Sequence, residues 1–188
     1  MVAFVDRFLI AFSQTSFRRQ SDFMAVYTRQ GDEGQSSVGG PKIPKHDLIF
    51  EVLGVIDELN ASLGMAAYNS SDIPKQIISR IQPRLFDISA CIIGKKKENF
   101  DGDVREMERI IDGIEEKLPK IKSFVVPSGR SSYIDFARTV CRRAERRVVL
   151  FSHVNKLEPS VIKFFNRLSD LLFVLARYEE EIERKMVV

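Results

Sequence analysis

The stretch Tyr133–Phe151, with the sequence YIDFARTVCRRAERRVVLF, decides the fold, because its apolar residues recur at the spacing of one helix face. Those apolar positions are Ala137, Val140, Ala144, Val148 and Phe151. Arginines recur every four residues on roughly the opposite side, at Arg138, Arg142 and Arg146. The pattern predicts an amphipathic helix over about 131–154, with its apolar face in a core.

The arginine face of this helix is open to three interpretations. Like charges four residues apart repel and weaken an isolated helix by a few tenths of a kcal/mol each, so an anionic partner is expected. The face is then a solvated surface, a nucleic-acid-binding surface or a phosphate site, since guanidinium forks match both carboxylates and phosphates. Glu145 interrupts the face and no stacking aromatic is interleaved on it, which disfavours nucleic acid. In a phosphate site, Glu145 would orient an arginine or meet a metal ion through water.

Four further segments show helical spacing of apolar residues, separated by polar or proline-containing connections. In chain order they are expected to run from Asp47 to Ala66, from Asp72 to Gly94, from Asp103 to Leu118 and from Pro159 to about Lys185. Asp72 and Asp103 are the expected N-caps, and Pro83 predicts a kink or a short break. The fold class is therefore an all-α bundle of five helices.

Composition sets limits on the class of protein. The chain has 188 residues, of which 44% are hydrophobic, enough for one domain with a core. Its 29 basic and 26 acidic residues are too balanced to indicate nucleic-acid binding. No apolar run approaches the roughly 20 residues that span a bilayer, so we expect a soluble protein with no membrane partner. Cys91 and Cys141 are expected to be free thiols, and no cysteine–histidine spacing suits zinc.

The first residues differ in composition from the rest. Residues 1–23 combine three arginines with Ser, Thr and scattered apolar side chains, as in an organelle presequence. A flexible leader or an extra amphipathic helix remains an alternative. The expected division is a leader over 1–23 and a helical domain over 24–188. The expected location is the mitochondrial matrix, with the cytoplasm as the alternative.

The segment Thr28–Ser37, TRQGDEGQSS, concentrates glycines, hydroxyls and a cation. Glycine lets backbone amides approach an anion, and hydroxyls add donors, so the segment suits a phosphate. It is neither a Walker A loop nor a dinucleotide fingerprint, because the required lysine and the strand–turn–helix context are missing. A plain surface turn remains open. Lys45, just before the first expected helix, supplies another cation.

Five blocks in this order resemble one family far more specifically than any block does alone. They are YTRQGDEG at 27–34, VIDELN at 55–60, FVVPSG at 124–129, ARTVCRRAERR at 137–147 and NRLSD at 166–170. They resemble the ATP:cob(I)alamin adenosyltransferases of the propanediol-utilisation type, over nearly all of 27–178. Gln30 and Glu33 depart from the family's usual loop, and Glu33 places a negative charge near the expected polyphosphate.

The resemblance implies a five-helix bundle with an ordered N-terminal loop, assembled as a homotrimer with active sites between subunits. It implies transfer of the 5′-deoxyadenosyl group of ATP to the cobalt of reduced cobalamin, with release of inorganic triphosphate. ATP would bind with Mg²⁺, which is held mainly through phosphates and water. The product would serve an adenosylcobalamin-dependent mutase. A helical bundle that binds cobalamin or ATP as a chaperone or regulator, without catalysis, is the alternative.

The resemblance also assigns roles to residues. The ATP contacts would be Thr28, Arg29, Gln30, Gly31, Ser36, Ser37, Lys45, Arg142, Arg143, Ala144, Glu145, Arg146 and Asn166. Among these, Lys45, Arg142 and Arg146 would clamp the leaving triphosphate. Phe124 would press on the lower face of the corrin, and an Asp57–Arg138 ion pair would cross the subunit interface. The aromatics expected to line the corrin pocket are Tyr133, Phe165 and Phe173.

Overall fold

A computed structural model of the chain describes Tyr27, Arg29, residues 31–120 and residues 126–186. These residues divide into two compact units, the chain up to Gln35 and the chain from Ser36 onwards. The expected leader over 1–23 and three expected site residues, Thr28, Gln30 and Phe124, lie outside the described residues.

Five helices make up the described part of the second unit, as the sequence predicts. They are α1 (Leu48–Tyr68), α2 (Asp72–Ile92), α3 (Asp101–Glu115), α4 (Ser131–Ser152) and α5 (Pro159–Met186). Two short strands precede them, β1 (Gln35–Ser36) and β2 (Ile43–Pro44). The all-α five-helix fold is confirmed.

Helix α4 occupies the middle of the bundle. It packs against α1 on one side and α5 on the other, while α2 covers α1 and α3 covers α5. The apolar face predicted for α4 is fully or almost fully buried, from Ala137 to Phe151. Burying a large aliphatic or aromatic side chain contributes about 1.5–3 kcal/mol, so this face fixes the rotation of α4 about its axis. The arginines consequently face away from the core.

The helix starts agree with the sequence at α1 and differ at α2 and α3. Asp47 caps α1, because its Oδ1 accepts a hydrogen bond from the Ile49 backbone N–H at 3.0 Å. The expected cap Asp72 is wrong, since Ser71 is the N-cap of α2 and Asp72 is its first residue. The expected cap Asp103 is also wrong. Helix α3 begins at Asp101, after the fully buried Phe100.

Long-range contacts displace the expected cap of α3. The Phe100 ring packs edge-on against Phe164 at 5.9 Å, and its backbone N–H donates to Ser160 Oγ at 2.9 Å. Phe100 is thereby tied to the start of α5, and the helix begins directly after it. The Asp103 carboxylate accepts from Arg84 instead, at 2.8 Å and 2.9 Å.

Pro83 does not break α2, which continues through it from Asp72 to Ile92. A proline removes one backbone hydrogen bond from a helix interior. Buried residues on both sides of Pro83, among them Ile78 and Leu85, hold α2 in the core and offset that loss. Of the expected kink or short break, the break is wrong, and the kink stays a prediction. The helix ends two residues before Gly94, whose φ of 73° is the left-handed conformation that favours glycine.

No helix within 31–120 or 126–186 is long and apolar enough to cross a membrane. Both cysteines are free thiols, and Cys141 is wholly buried. Burial raises the pKa of Cys141 well above its ordinary value, so this thiol is not a nucleophile.

Candidate functional site

The arginines of α4 differ in the partners they have. Arg143 pairs with Glu58, and Arg147 pairs with Glu51 at 3.2 Å, so both carry acids from α1 beside them. Both pairs are exposed to solvent, so they contribute little to the packing of α4 against α1. Their charge is partly neutralised within the protomer.

Arg142 and Arg146 have no carboxylate partner among the residues that the structure describes. Both are exposed, and Arg146 Nη1 donates to the backbone oxygen of Arg142 at 3.1 Å. A guanidinium carries five donors, so most of those on this pair remain available to a ligand. This is the arrangement that a phosphate site requires.

Glu145 lies between these two arginines in the sequence, and a hydrogen bond restrains its side chain. Its Oε1 accepts a hydrogen bond from Nδ2 of Asn166, on α5, at 3.1 Å. Because this contact joins α4 to α5, the carboxylate has a defined position beside Arg142 and Arg146. The structure therefore brings together four of the residues expected to contact ATP.

A cleft of about 350 Å³ opens between α3, α4 and α5. Three arginines line it, namely Arg138, Arg142 and Arg167. Arg138 donates to Asp135 at 2.6 Å, and Arg167 donates to Asp170 at 2.6 Å and to Glu108 at 3.1 Å. Of the three, only Arg142 lacks a described carboxylate partner. Arg142 therefore supplies the cleft with a positive charge that no described carboxylate balances, and an anion that enters the cleft would meet that charge.

Phe173 marks the apolar end of the same region. It lines the arginine cleft and also a smaller neighbouring cleft. Pro127 and Ala176 line that second cleft beside Phe173, and so do the polar or charged residues Ser131, Asp135, Arg177 and Glu180. Its ring is 37% exposed, and the Arg177 guanidinium lies over it at 6.0 Å. An arginine-lined end and an aromatic end therefore adjoin along α5. Sequence reasoning missed Arg177, although its position four residues after Phe173 puts both on one helix face.

The remaining residues expected to line the corrin pocket behave differently. Tyr133 is 39% exposed and available, whereas Phe165 is fully buried against Phe164 in the core. The expectation for Phe165 is corrected, since aromatics at helical spacing most often serve packing. Ala144 is also fully buried, so its expected contact with ATP stays a prediction that no exposed surface of the protomer supports.

The loop residues lie in exposed turns. Ser37 Oγ donates to the Gly40 oxygen at 2.6 Å and accepts from the Gly39 and Gly40 amides at 3.2 Å. Ser36 is half-buried and Lys45 is exposed. Lys45 does not line the arginine cleft. Its expected place in one ATP site with Arg142 stays a prediction.

The first unit shows one unusual backbone conformation. Arg29 has a φ of 57°, which is uncommon for any residue other than glycine. Its guanidinium lies over the Tyr27 ring at 5.9 Å. The Asp32 and Gly34 amides donate to the oxygens of Arg29 and Gly31, both at 3.3 Å, which closes two successive turns. Gly31, an expected ATP contact, lies within these turns.

Asp57 and Arg138 do not pair within the protomer. Arg138 pairs with Asp135 on its own helix. Asp57 is exposed in a cleft between α1 and α2 that is lined mainly by apolar side chains, Phe50, Leu53 and Phe86 among them. Their expected contact between subunits therefore stays a prediction.

The fold and the arginine cleft can now be compared with known proteins. A family model described as cobalamin adenosyltransferase matches residues 26–179. The chain belongs to the cobalamin adenosyltransferase family. It is 38% identical to the mouse (Mus musculus) corrinoid adenosyltransferase MMAB over 169 residues, which cover 81% of the chain and 71% of that protein. The corrinoid adenosyltransferase of Bacillus subtilis is 35% identical over 166 residues, with 82% and 86% covered.

Solved structures of the family have the same fold. A variant PduO-type adenosyltransferase from Lactobacillus reuteri, with an arginine changed to lysine and in complex with ATP, superposes with a TM-score of 0.80. It is 30% identical, and the match covers 85% of this chain and 96% of that one. A phenylalanine-to-alanine variant, in complex with cobalamin and ATP, matches with a TM-score of 0.80 and 29% identity.

These comparisons confirm the family inferred from the five sequence blocks. The family consists of corrinoid adenosyltransferases, so the expectation of an enzyme is confirmed. The individual site residues stay predictions, and the geometry of α4 is what bears on them.

Proposed function

We propose that this chain transfers the 5′-deoxyadenosyl group of ATP to the cobalt of reduced cobalamin and releases inorganic triphosphate. The observation that carries the proposal is Arg142. It lines the cleft beside Phe173, belongs to the basic face of α4, and has no carboxylate partner in the described residues. A helix that keeps an uncompensated guanidinium there suits an anionic leaving group.

The chemistry asks little of the protein beyond positioning and charge. Cobalt(I) of the substrate is itself the nucleophile. A cobalt–carbon bond forms at C5′ of ATP as the bond between C5′ and its oxygen breaks, and the electron pair leaves with triphosphate. Arg142 and Arg146, with Lys45, would stabilise the charge on that group. Donors placed in advance at developing charge contribute about 100- to 1000-fold in rate.

The N-terminal loop would supply the other half of the ATP site. The proposed contacts there are Thr28, Arg29, Gln30, Gly31, Ser36, Ser37 and Lys45. We place them against α4 of a neighbouring subunit in a homotrimer. Asp57 then meets Arg138 across the interface. Support comes from Lys45, which does not line the arginine cleft of its own protomer, and from Asp57, which has no described ion-pair partner.

Glu145 fits a role beside Mg²⁺. In the described residues, no three or more His, Cys, Asp or Glu side chains come together to hold a metal on their own. Mg²⁺ usually keeps several waters and binds through phosphates and one or two carboxylates, so a single oriented Glu145 is sufficient. The ion would neutralise phosphate charge, while Asn166 holds the Glu145 carboxylate in place.

The corrinoid would bind at the apolar end of the site. Phe173 on α5 and Tyr133 on α4 are exposed aromatics that suit the face or edge of a macrocycle. Phe124, which lies outside the described residues, is proposed to press on the lower face of the corrin and favour loss of the lower axial ligand.

Location and partner follow from the same proposal. The arginine-rich composition of 1–23 supports import into the mitochondrial matrix, where an adenosylcobalamin-dependent mutase would use the product. Mass spectrometry of the mature N-terminus in cells tests the import. A protein that retains Met1 would contradict it.

The decisive assay combines ATP, chemically reduced cobalamin and the protein. We expect adenosylcobalamin and inorganic triphosphate in equal amounts, with the corrinoid followed by absorbance and the phosphates by chromatography. If both ligands bind and no cobalt–carbon product forms, the proposal fails and a non-catalytic binding protein remains. If phosphate or pyrophosphate appears in place of triphosphate, the proposed bond cleavage is wrong.

A further inference from the structure

Helix α5 holds the connection between α3 and α4 at both ends. On the α3 side, Arg177 Nη2 donates a hydrogen bond to the backbone oxygen of Pro119 at 2.5 Å. On the α4 side, Glu183 Oε1 accepts one from the Arg130 backbone N–H at 2.9 Å. We call these two contacts the α5 clasp. Arg177 and Glu183 are six positions apart on α5, so one rigid helix sets the separation of the two ends.

The contact at Glu183 is close and sterically specific. Gly129, just before Arg130, has a φ of 56°, which an L side chain rarely adopts. A Cβ at this position would lie only 2.7 Å and 2.8 Å from the two Glu183 carboxylate oxygens. Glycine is therefore needed at 129 for two reasons. Its backbone has a positive φ, and a side chain there would occupy the position of the Glu183 carboxylate.

Glu179 adds a second acid one turn earlier on α5. It is fully buried, and its Oε2 accepts from the Ser71 backbone N–H at 3.0 Å and from Ser71 Oγ at 2.7 Å. Its Oε1 lies 3.4 Å from Arg130 Nε, which is also 3.3 Å from Glu183 Oε1. Burying a carboxylate carries a large desolvation penalty, so its placement against Arg130 calls for a function. The proposed reaction uses neither acid.

The clasp lies directly beside the apolar end of the site. Arg177 places its guanidinium over the Phe173 ring, and the small cleft at Phe173 is lined on one side by Pro127. Pro127 is two residues before Gly129. A shift of the Gly129–Arg130 backbone would therefore move the Pro127 wall, while Arg142 at the arginine-lined end would stay in place.

We propose that Arg177 and Glu183 are positioning residues that set the Pro127 wall of the cleft for the corrinoid and leave the ATP half unaffected. The inference rests on the proposed function, because it assigns the Phe173 end to the corrinoid. It predicts a split: loss of the clasp weakens cobalamin binding and raises the KM for cobalamin, with little change in the KM for ATP.

The test compares Glu183→Ala with Glu183→Gln and Ser71→Ala. Glu183→Ala removes the acceptor, and we expect cobalamin affinity in the presence of ATP to fall about tenfold. Glu183→Gln keeps an amide oxygen for the Arg130 N–H and should recover most of that affinity. Ser71→Ala removes a hydroxyl donor to Glu179 and leaves the hydrogen bond between Glu183 and the Arg130 backbone in place. It controls for general destabilisation, and we expect wild-type cobalamin affinity at a slightly lower Tm.

Gly129→Ala approaches the same contact from the other side. Alone it should weaken cobalamin binding about as much as Glu183→Ala, because the new methyl group displaces the carboxylate. Combined with Glu183→Ala it should cost less than the sum of the two single losses, since both changes break one contact and only the strain of the positive φ at 129 is added. Fully additive losses would overturn the clasp.

Two further readouts separate the possible failures. Hydrogen exchange at residues 126–130 should accelerate in Glu183→Ala while exchange in α1 and α2 stays as in the wild type. If Glu183→Ala binds cobalamin like the wild type, or if the KM for ATP rises equally, the inference is wrong. If the wild type makes no adenosylcobalamin, the proposed function fails. The cobalamin affinities and exchange rates still decide the clasp.

Discussion

Arg84 on α2 and Arg142 on α4 are the same residue type in opposite circumstances. Arg84 donates to Asp103 at 2.8 Å, to Glu98 at 2.6 Å and to Asp87 at 2.5 Å. Its guanidinium also lies over the Phe100 ring at 5.0 Å. Arg142 lies in an open cleft without any carboxylate partner in the described residues.

The difference separates a structural arginine from a ligand-binding one. The hydrogen bond to Asp103 is the largest cause of the raised pKa of Arg84. The N–H donors of Arg84 are already used by carboxylates within the protein. Such a group joins α2 to α3 and has little left for a ligand. No described carboxylate accepts a hydrogen bond from Arg142. We therefore expect Arg142 to contribute to the affinity for an anionic ligand and not to folding stability. The predictions below test this contrast.

The largest effect is expected on turnover at Arg142. Arg142→Ala should lower kcat by about 100-fold or more, because the leaving triphosphate loses a charged donor. The Tm should stay near that of the wild type, since no described acid loses a partner. Steady-state kinetics and thermal unfolding measure the two effects.

The matched control for this variant is Arg109→Ala. Arg109 is an exposed arginine on α3 that pairs only with Glu106 of its own helix among the contacts described. It should leave both kcat and Tm near the wild-type values. Wild-type turnover in Arg142→Ala would refute the role given to that residue.

Arg84→Ala should show the reverse pattern. Removing this guanidinium leaves three carboxylates without it, and we expect the free energy of unfolding to fall by about 2 kcal/mol. The folded fraction of Arg84→Ala should keep the wild-type KM for ATP. Urea denaturation and kinetics on the same preparation check both parts. A stable Arg84→Ala protein with impaired ATP use would reverse the contrast.

Arg84 and Lys96, with the acids Asp87, Glu98 and Asp103, form a cluster that predicts a pH dependence of the folding stability. A hydrogen bond from Lys96 is the first cause of the lowered pKa values of Asp87 and Glu98, and Arg84 lowers them further. Their contribution is complete above the unfolded pKa values, about 4, and is lost as the pH falls through the lower folded values. Lys96→Met should flatten this acid limb when stability is measured from pH 6 downwards. An unchanged acid limb would mean that the cluster is not the cause.

The smallest effect is expected at the exposed pair of Arg143 and Glu58. Glu58→Gln should change the free energy of unfolding by no more than about 0.5 kcal/mol, as for most solvent-exposed ion pairs. Because it releases Arg143, the affinity for ATP should stay the same or rise slightly. Calorimetric titration with ATP measures this. A clear loss of ATP affinity would show that Glu58 itself contributes to the site.

The parts of the structure that follow from local patterns could be predicted from the sequence. Spacing alone identifies the buried face of α4, because a helix repeats every 3.6 residues whatever surrounds it. The first helix begins where the sequence predicts, at Asp47, which caps α1 through a hydrogen bond to a residue two positions away. The family followed from five blocks whose order is far more specific than any one block, the last two of them being the most specific.

The parts that depend on distant residues could not be predicted. Asp103 looks like a helix cap, but its carboxylate is bound by Arg84, which lies 19 positions earlier. Ser71 likewise gives its hydroxyl to Glu179, 108 positions away. Arg138 and Arg142 share one helix face, and the local signal that separates them is Asp135, three residues before Arg138. The three-residue spacing of Asp135 and Arg138 is a local pattern in the sequence.

The most direct test of the central contrast is the binding of inorganic triphosphate. If Arg142 serves the leaving group, the wild type should bind triphosphate in a salt-sensitive manner. Arg142→Ala should bind it at least about tenfold more weakly. Arg84→Ala, compared at a temperature where it is folded, should bind it like the wild type. Equal affinity of the wild type and Arg142→Ala for triphosphate would contradict the account.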